Sequence, residues 1–227
     1  SGRKARWPPP GCDPEVFSSA FLVDGFNLYH SPRAASIPLG GRGTKWLDLN
    51  ALCRSYLHII GGGAELAGIH YFSALAKHLE ATKPDVTRRH QAFISCLEAT
   101  GVTVRLSRFK RKSTRCNVCG ARLERYEEKE TDVAIASTLL ELFHLAACDT
   151  AVILSGDSDL VPATRAVQRM FGGARVLFAF PYGRKSKELA QLAPGSFQMT
   201  KENYARHQLP DPFVAPNGDV TRKPAAW

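Results

Sequence analysis

AVILSGDSDLVPA, residues 151–163, decides the reading of the fold. Ala151 to Leu154 form an apolar run too short for a helix and without a polar alternate, the pattern of a strand covered on both faces. The run stops at Ser155-Gly156, and carboxylates follow at Asp157 and Asp159. Helical spacing then starts at Leu160, continues through Ala163, Val167 and Met170, and ends at Gly172-Gly173. A buried strand, an acidic loop and a helix in that order place acids at a strand's carboxyl end. Open α/β sheets build their sites outside such ends.

Two further acids stand in comparable places. FLVDGFNLYH, residues 21–30, puts Asp24 directly after an apolar strand over residues 20–23. EKETDVAIASTLL, residues 128–140, puts Asp132 where a loop enters a helix over residues 133–147. The remaining apolar runs predict strands over residues 66–72, 102–106 and 175–180. Helical periodicity predicts helices over 48–60 and 84–100. Strand and helix alternate, so the expected class is α/β with a mostly parallel central sheet. One domain is expected over residues 19–205, carrying a basic insertion near 105–127. A loose basic, Pro-rich leader precedes it over 1–18, starting Ser1-Gly2 and lacking the apolar core of a signal peptide. An extended tail follows over 206–227, whose Phe213, Val214 and Trp227 are apolar enough to pack back on the body.

The 227 residues are 44% apolar and 22% charged, enough for one sizeable core and unlike a disordered chain. A formal net charge of +9 favours a polyanionic partner, nucleic acid first. Six cysteines are scattered, too sparsely for a secreted disulfide scaffold, so reduced thiols in a cytoplasmic protein are expected. No apolar stretch approaches the roughly 20 residues of a membrane span, so no membrane partner is expected.

Carboxylates at the ends of buried strands are costly unless something uses them. Mg²⁺ and Mn²⁺ choose hard oxygen ligands and are the natural users. The plain alternative is capping: Asp157 or Ser158 can cap the helix after them, Asp132 its own helix, and Asp24-Gly25 can be a turn. Three separately placed rim acids are harder to obtain from capping alone.

Arg105, Arg108, Lys110, Arg111, Lys112 and Arg115 fall in a stretch that contains no acid and includes Phe109. Such a run neutralises phosphates, and an interleaved ring can stack on a base; a solvated charge run is the competing reading. Cys116-Asn117-Val118-Cys119-Gly120 supplies half of a structural zinc site. Cys12, Cys96, His78, His90 or a second chain would have to complete it. Unligated thiols and redox use stay open beside zinc.

Asp24-Gly25-Phe26-Asn27, Glu128-Lys129-Glu130-Thr131-Asp132-Val133 and Ser155-Gly156-Asp157-Ser158-Asp159 together resemble the three acidic motifs of the NYN branch of the PIN-like ribonucleases. The likeness runs over residues 20–180 in matching order. It is similar in particular to bacterial members with a CxxCG insertion before the central motif and a Lys-Pro…Trp ending, here Lys223-Pro224 and Trp227. The resemblance implies a PIN-like, Rossmannoid three-layer α/β/α domain and a metal-dependent endoribonuclease. Asp24, Asp132, Asp157 and Asp159 would hold one or two Mg²⁺ or Mn²⁺ ions. Asn27 would orient a ligand, a water or a phosphate. RNA is the implied substrate, with DNA open beside it, and a homodimer is compatible. Two other classes compete: an inactive PIN-like module that binds RNA or protein, and a haloacid-dehalogenase-like phosphatase. The phosphatase motif needs a second Asp two residues after the first, where this chain has Phe26.

Overall fold

The computed structural model describes residues 17–115 and 117–227. The expected leader, residues 1–18, lies outside the described residues except for its last two, and so do Cys12 and Cys116. Strands β1 (Phe17–Asp24), β2 (Ala64–Ala74), β3 (Thr103–Arg115), β4 (Arg122–Lys129), β5 (Thr150–Leu154), β6 (Arg175–Phe180) and β7 (Ser196–Gln198) form one sheet in the order β4-β3-β2-β1-β5-β6-β7. Every neighbouring pair is parallel except β3 with β4.

The sheet has helices on both faces, because its central strands are apolar at successive positions. Phe21 and Val23 of β1, Val152 and Leu154 of β5, and Leu177 and Ala179 of β6 join one core. That core includes Leu28 and Ala35 of α1 (Gly25–Ser36), Leu49 and Leu52 of α2 (Leu49–Arg54), Ile60 of α3 (Leu57–Ile60) and Phe93 and Leu97 of α4 (Val86–Ala99). The alternate residues Ala20, Leu22, Ile153 and Phe178 join a second core. It holds Ile135 and Leu139 of α5 (Thr131–His144), Val161 and Val167 of α6 (Val161–Met170) and Leu189 of α7 (Lys187–Leu192). This is a three-layer α/β/α arrangement. Runs that are apolar at every position, such as Val-Ile-Leu at 152–154, are what a sheet covered on both sides requires.

β1 is the centre of the order. The chain leaves it in one direction to β2 and β3, and later returns to its other side at β5. The topological switch point therefore lies between β1 and β5, where Asp24 ends one strand and Ser155 follows the other.

The sequence expectations differ from the structure at several elements. The helix over 48–60 divides into α2 and α3. The helix after Asp132 starts at Thr131, and its N-cap is Glu130 in the left-handed region at φ 79°, so Asp132 sits in the first turn and does not cap. The strand over 102–106 continues to Arg115 and turns back through β4 as an antiparallel hairpin. The region 206–227 is not an extended tail. It starts at the end of α8 (Lys201–Arg206) and folds back on the body, with a small hairpin of β8 (Phe213–Val214) and β9 (Val220–Thr221). Leu209 N donates to Trp46 O at 2.8 Å and Trp46 Nε1 donates to Pro210 O at 3.3 Å. The Trp227 ring lies 5.1 Å from Phe93 and 5.9 Å from Trp46, and Phe213 is buried while Val214 stays exposed. Trp46 thus fastens the C-terminal segment to the core.

Candidate active site

Asp24 is the last residue of β1 and the N-cap of α1. It is only 2% exposed. Its Oδ1 accepts the Asn27 N–H at 2.9 Å, and its Oδ2 accepts Asn27 Nδ2 at 2.7 Å and Ser155 Oγ at 2.8 Å. The parallel register explains the last bond. Val23 pairs with Leu154, so the next residues on the two strands, Asp24 and Ser155, emerge side by side. Ser155 Oγ accepts the Asp157 N–H at 3.0 Å, and Asp157 Oδ1 accepts the Asp159 N–H at 3.0 Å, capping a 3-10 turn over Ser158–Leu160. Arg184 donates to Asn27 Oδ1 at 3.3 Å. One hydrogen-bonded chain therefore runs Arg184–Asn27–Asp24–Ser155–Asp157–Asp159. Asp24 and Asp157 cap as well as cluster, so each N-cap bond gains about 1 kcal/mol of local stability while fixing its carboxylate.

Two glycines let the backbones approach this closely. A Cβ on Gly25 would meet Phe72 O at 2.6 Å, and one on Gly156 would meet Arg184 O at 2.5 Å. The second approach brings the turn that carries Arg184 onto the acidic loop.

Asp132 reaches the same rim from the first turn of α5. Burial, followed by the carboxylates of Asp157, Asp24 and Asp159, pushes its pKa up to about 6. Burial also raises Asp24, with a contribution from Asp157. The three other expected acids therefore all lie close enough to Asp132 to disfavour its charge. A fifth belongs with them: burial raises Glu128, with the charges of Asp24 and Asp132 adding to the effect. Glu128 stands at the end of β4 and accepts Thr131 Oγ1 at 2.6 Å. Its position was hidden in the sequence because it depends on the β3–β4 hairpin, which the charged run 122–129 does not announce. Arg184, too, was identifiable only from the turn after β6, whereas the hydroxyl of Ser155 was expected at the site from the sequence.

No lysine or arginine pairs with any of the five carboxylates among the described residues. No three acidic, histidine or cysteine side chains are already gathered about one point there either. The set is a loose group of hard oxygen donors short of positive charge. That chemistry fits a cation such as Mg²⁺, which keeps several waters and takes one or two carboxylates together with substrate phosphates.

The expected nucleic-acid residues lie on the hairpin. Four of the six are paired by acids that folding brings across. Arg105 meets Glu141 at 3.5 Å, Arg108 meets Glu130 at 2.6 Å, Arg111 meets Glu124 at 3.5 Å and Lys112 meets Glu127 at 3.0 Å. Lys110 and Arg115 have no such ion pair among the described residues. Phe109 turns inward against His78, 4.6 Å between ring centres. Cys119 is exposed, its neighbour in the motif, Cys116, lies outside the described residues, and Cys96 is buried in the core of α4. His90 is within 3.4 Å of Ser73 Oγ, and burial lowers its pKa to about 4.

A three-layer α/β/α domain with clustered acids at the switch point defines a class of proteins, and sequence comparison gives the family. The NYN domain matches residues 18–199, and the chain belongs to that family, whose fold and nuclease character are PIN-like. Among solved structures, it is similar to a protein of unknown function from Vibrio parahaemolyticus. The TM-score is 0.54 at 17% identity, over 83% of this chain and 96% of that one, a likeness of fold. No curated protein matches the chain. Among the described residues no helix is long and apolar enough to cross a membrane.

Proposed function

We propose that the chain is a Mg²⁺- or Mn²⁺-dependent endoribonuclease acting at the switch point between β1 and β5. The observation that carries this reading is the carboxylate group around Asp132: Asp157, Asp24 and Asp159 all disfavour its charge, Asp24 and Asp132 disfavour that of Glu128, and no cation is paired to any of the five among the described residues. Without a counter-charge such a group drives its members toward protonation; a bound divalent ion lets all of them ionise. Asp24, Asp132, Asp157 and Asp159 would hold the ion, and Glu128 would add charge from the hairpin side. The ion's chemistry is to lower the pKa of a water and to offset phosphate charge in the transition state.

The chain's own residues do the rest. Asn27 and Ser155 each hold Asp24 Oδ2, so the innermost carboxylate keeps one orientation. Arg184, tied to Asn27, presents its guanidinium beside the acids, where it can donate to a pair of phosphate oxygens as a bidentate partner. Hydrolysis adds the water oxygen to phosphorus and breaks one backbone P–O bond, leaving the displaced ribose oxygen protonated. Lys110 and Arg115 of the hairpin remain to contact the strand's phosphates beyond the site.

A second reading has its own support. Asp24 and Asp157 both serve as caps, so the acids could be retained for structure in a module that binds RNA without cutting it. Incubation of a labelled single-stranded RNA with Mn²⁺, Mg²⁺ or EDTA separates the two. Cleavage that needs the metal and is lost in Asp132→Asn supports the nuclease. Salt-sensitive binding with no cleavage in any divalent ion supports the module.

A further inference from the structure

α1 turns an unusual face to solvent. Phe26, Tyr29, His30 and Arg33 follow one another at i, i+3, i+4 and i+7, the spacing of a single helix side. Phe26 is 49% exposed and Tyr29 is 52% exposed. Both rings meet His30 edge-on, at 5.5 and 5.3 Å. A surface helix ordinarily shows polar residues here, and a cluster of exposed rings marks a binding surface.

Beside these rings a cavity of about 300 Å³ opens between α1, α4 and the segment after β2. That volume is at the lower end of the roughly 300–1,000 Å³ typical of ligand pockets. Its floor is apolar and buried, built from Leu47, Tyr71 and Phe93, with Trp227 of the folded-back C-terminus. Gly25 also lines it, so the cavity begins one residue from Asp24. His78 forms part of the wall, stacked on Tyr126 at 4.3 Å, and its buried Nδ1 has no hydrogen-bond partner among the described residues.

The charge around the opening is of one sign. Lys45 and Arg89 line the cavity, and Lys45 Nζ lies 5.8 Å from the centre of the Tyr29 ring. Arg33 and Arg89 add to burial in lowering Lys45, and Arg184 and Arg33 add to burial in lowering His30. Arg33, Lys45, Arg89 and Arg184 have no ion pair among the described residues, whereas the hairpin cations are mostly matched by glutamates. Cations kept together without an acid form the electrostatic footprint of a polyanion.

We propose that this cavity takes one unstacked base of a single-stranded RNA, with its phosphates along Arg33, Lys45, Arg89 and Arg184 and a neighbouring phosphodiester at Asp24. The choice of RNA rests on the proposed nuclease reading; the base and phosphate recognition rests on the cavity and its cations. Phe26 and Tyr29 stack on the incoming strand. A duplex keeps its bases paired and stacked, so it cannot use the cavity.

The test is binding in EDTA, where no cleavage interferes. A fluorescein-labelled single-stranded hexaribonucleotide is titrated with the full chain and followed by anisotropy. Phe26→Ala and Tyr29→Ala, both at exposed positions, are expected to weaken binding about tenfold each. Tyr29→Phe should retain affinity. A hexamer with one abasic residue should bind wild type about tenfold more weakly and lose most of that difference in Tyr29→Ala. Arg111→Ala on the hairpin should keep the abasic difference in full. Equal binding of duplex and single-stranded RNA, or unaltered binding by both Ala variants, overturns the cavity assignment even if RNA is cleaved with Mn²⁺. Discrimination against the abasic hexamer without cleavage in any metal leaves the cavity assignment standing and removes the nuclease reading.

Discussion

Asp132→Asn is expected to stabilise the metal-free protein at neutral pH while removing its response to metal. Burial and three neighbouring carboxylates raise Asp132 from an ordinary value of 3.8 to about 6. About two pH units at 1.36 kcal/mol each would amount to about 3 kcal/mol. Asp132 is only half-buried, and solvent screening reduces this to about 1–2 kcal/mol. The sign follows from proton binding. The folded state holds this proton more tightly than the unfolded state, so between about pH 4 and about pH 6 folding takes up protons and stability falls as pH rises. Asn carries no charge and escapes the penalty. In EDTA at pH 7.5, thermal unfolding should therefore place Asp132→Asn roughly 2–8 °C above wild type, at about 2–4 °C per kcal/mol for a chain of this size. At pH 4 the two should nearly coincide. Adding Mn²⁺ should raise the wild-type Tm and leave the variant little changed, because only a ligand held by the folded state stabilises it. A variant no more stable than wild type at pH 7.5, or a difference independent of pH, would refute the repulsion argument. An equal Mn²⁺ shift in both proteins would refute the assignment of Asp132 to the ion.

Gly156→Ala places a Cβ 2.5 Å from the Arg184 carbonyl and should cost about 1–3 kcal/mol, read as a lowered denaturation midpoint together with loss of any activity at the adjacent acids. Trp227→Ala removes a half-buried ring lying 5.1 Å from Phe93 and should cost about 2–3 kcal/mol. Because Trp227 also lines the cavity beside α1, the same variant should weaken single-stranded RNA binding in EDTA.

The strands that were legible in the sequence are those with two covered faces. β1, β5 and β6 carry apolar residues at four or more successive positions, and β2 is buried at four successive positions at its end. β4 was illegible for the opposite reason: its Arg-Leu-Glu-Arg-Tyr-Glu-Glu-Lys is charged, exposed and paired on one edge only. α1 carries Gly25 at its start and Pro32 inside, two residues that usually interrupt helices, and its capping by Asp24 is visible only in three dimensions. The acids of the candidate site were legible because each follows a strand or opens a helix. Glu128 was not, since it approaches them only because β4 returns antiparallel to β3. The basic run 105–115 was evident as composition, but its neutralisation depends on glutamates from another strand and from α5. The unpaired cations of Arg33, Lys45 and Arg89 come from α1, a loop and α4, so no linear stretch advertises them.

The bond from Ser155 to Asp24 spans 131 residues of chain. β1 and β5 are adjacent parallel strands, and the half of the sheet between them in sequence must be made before they can meet. At synthesis rates of 5–20 residues per second, Asp24 leaves the ribosome roughly 7–26 s before its partner. During that interval the nascent chain is surrounded by ribosomal and messenger RNA, with its aromatic and cationic α1 already made. The carboxylates, however, are still apart. A candidate site divided across the central pair of a parallel sheet is thus assembled only after translation has passed β5.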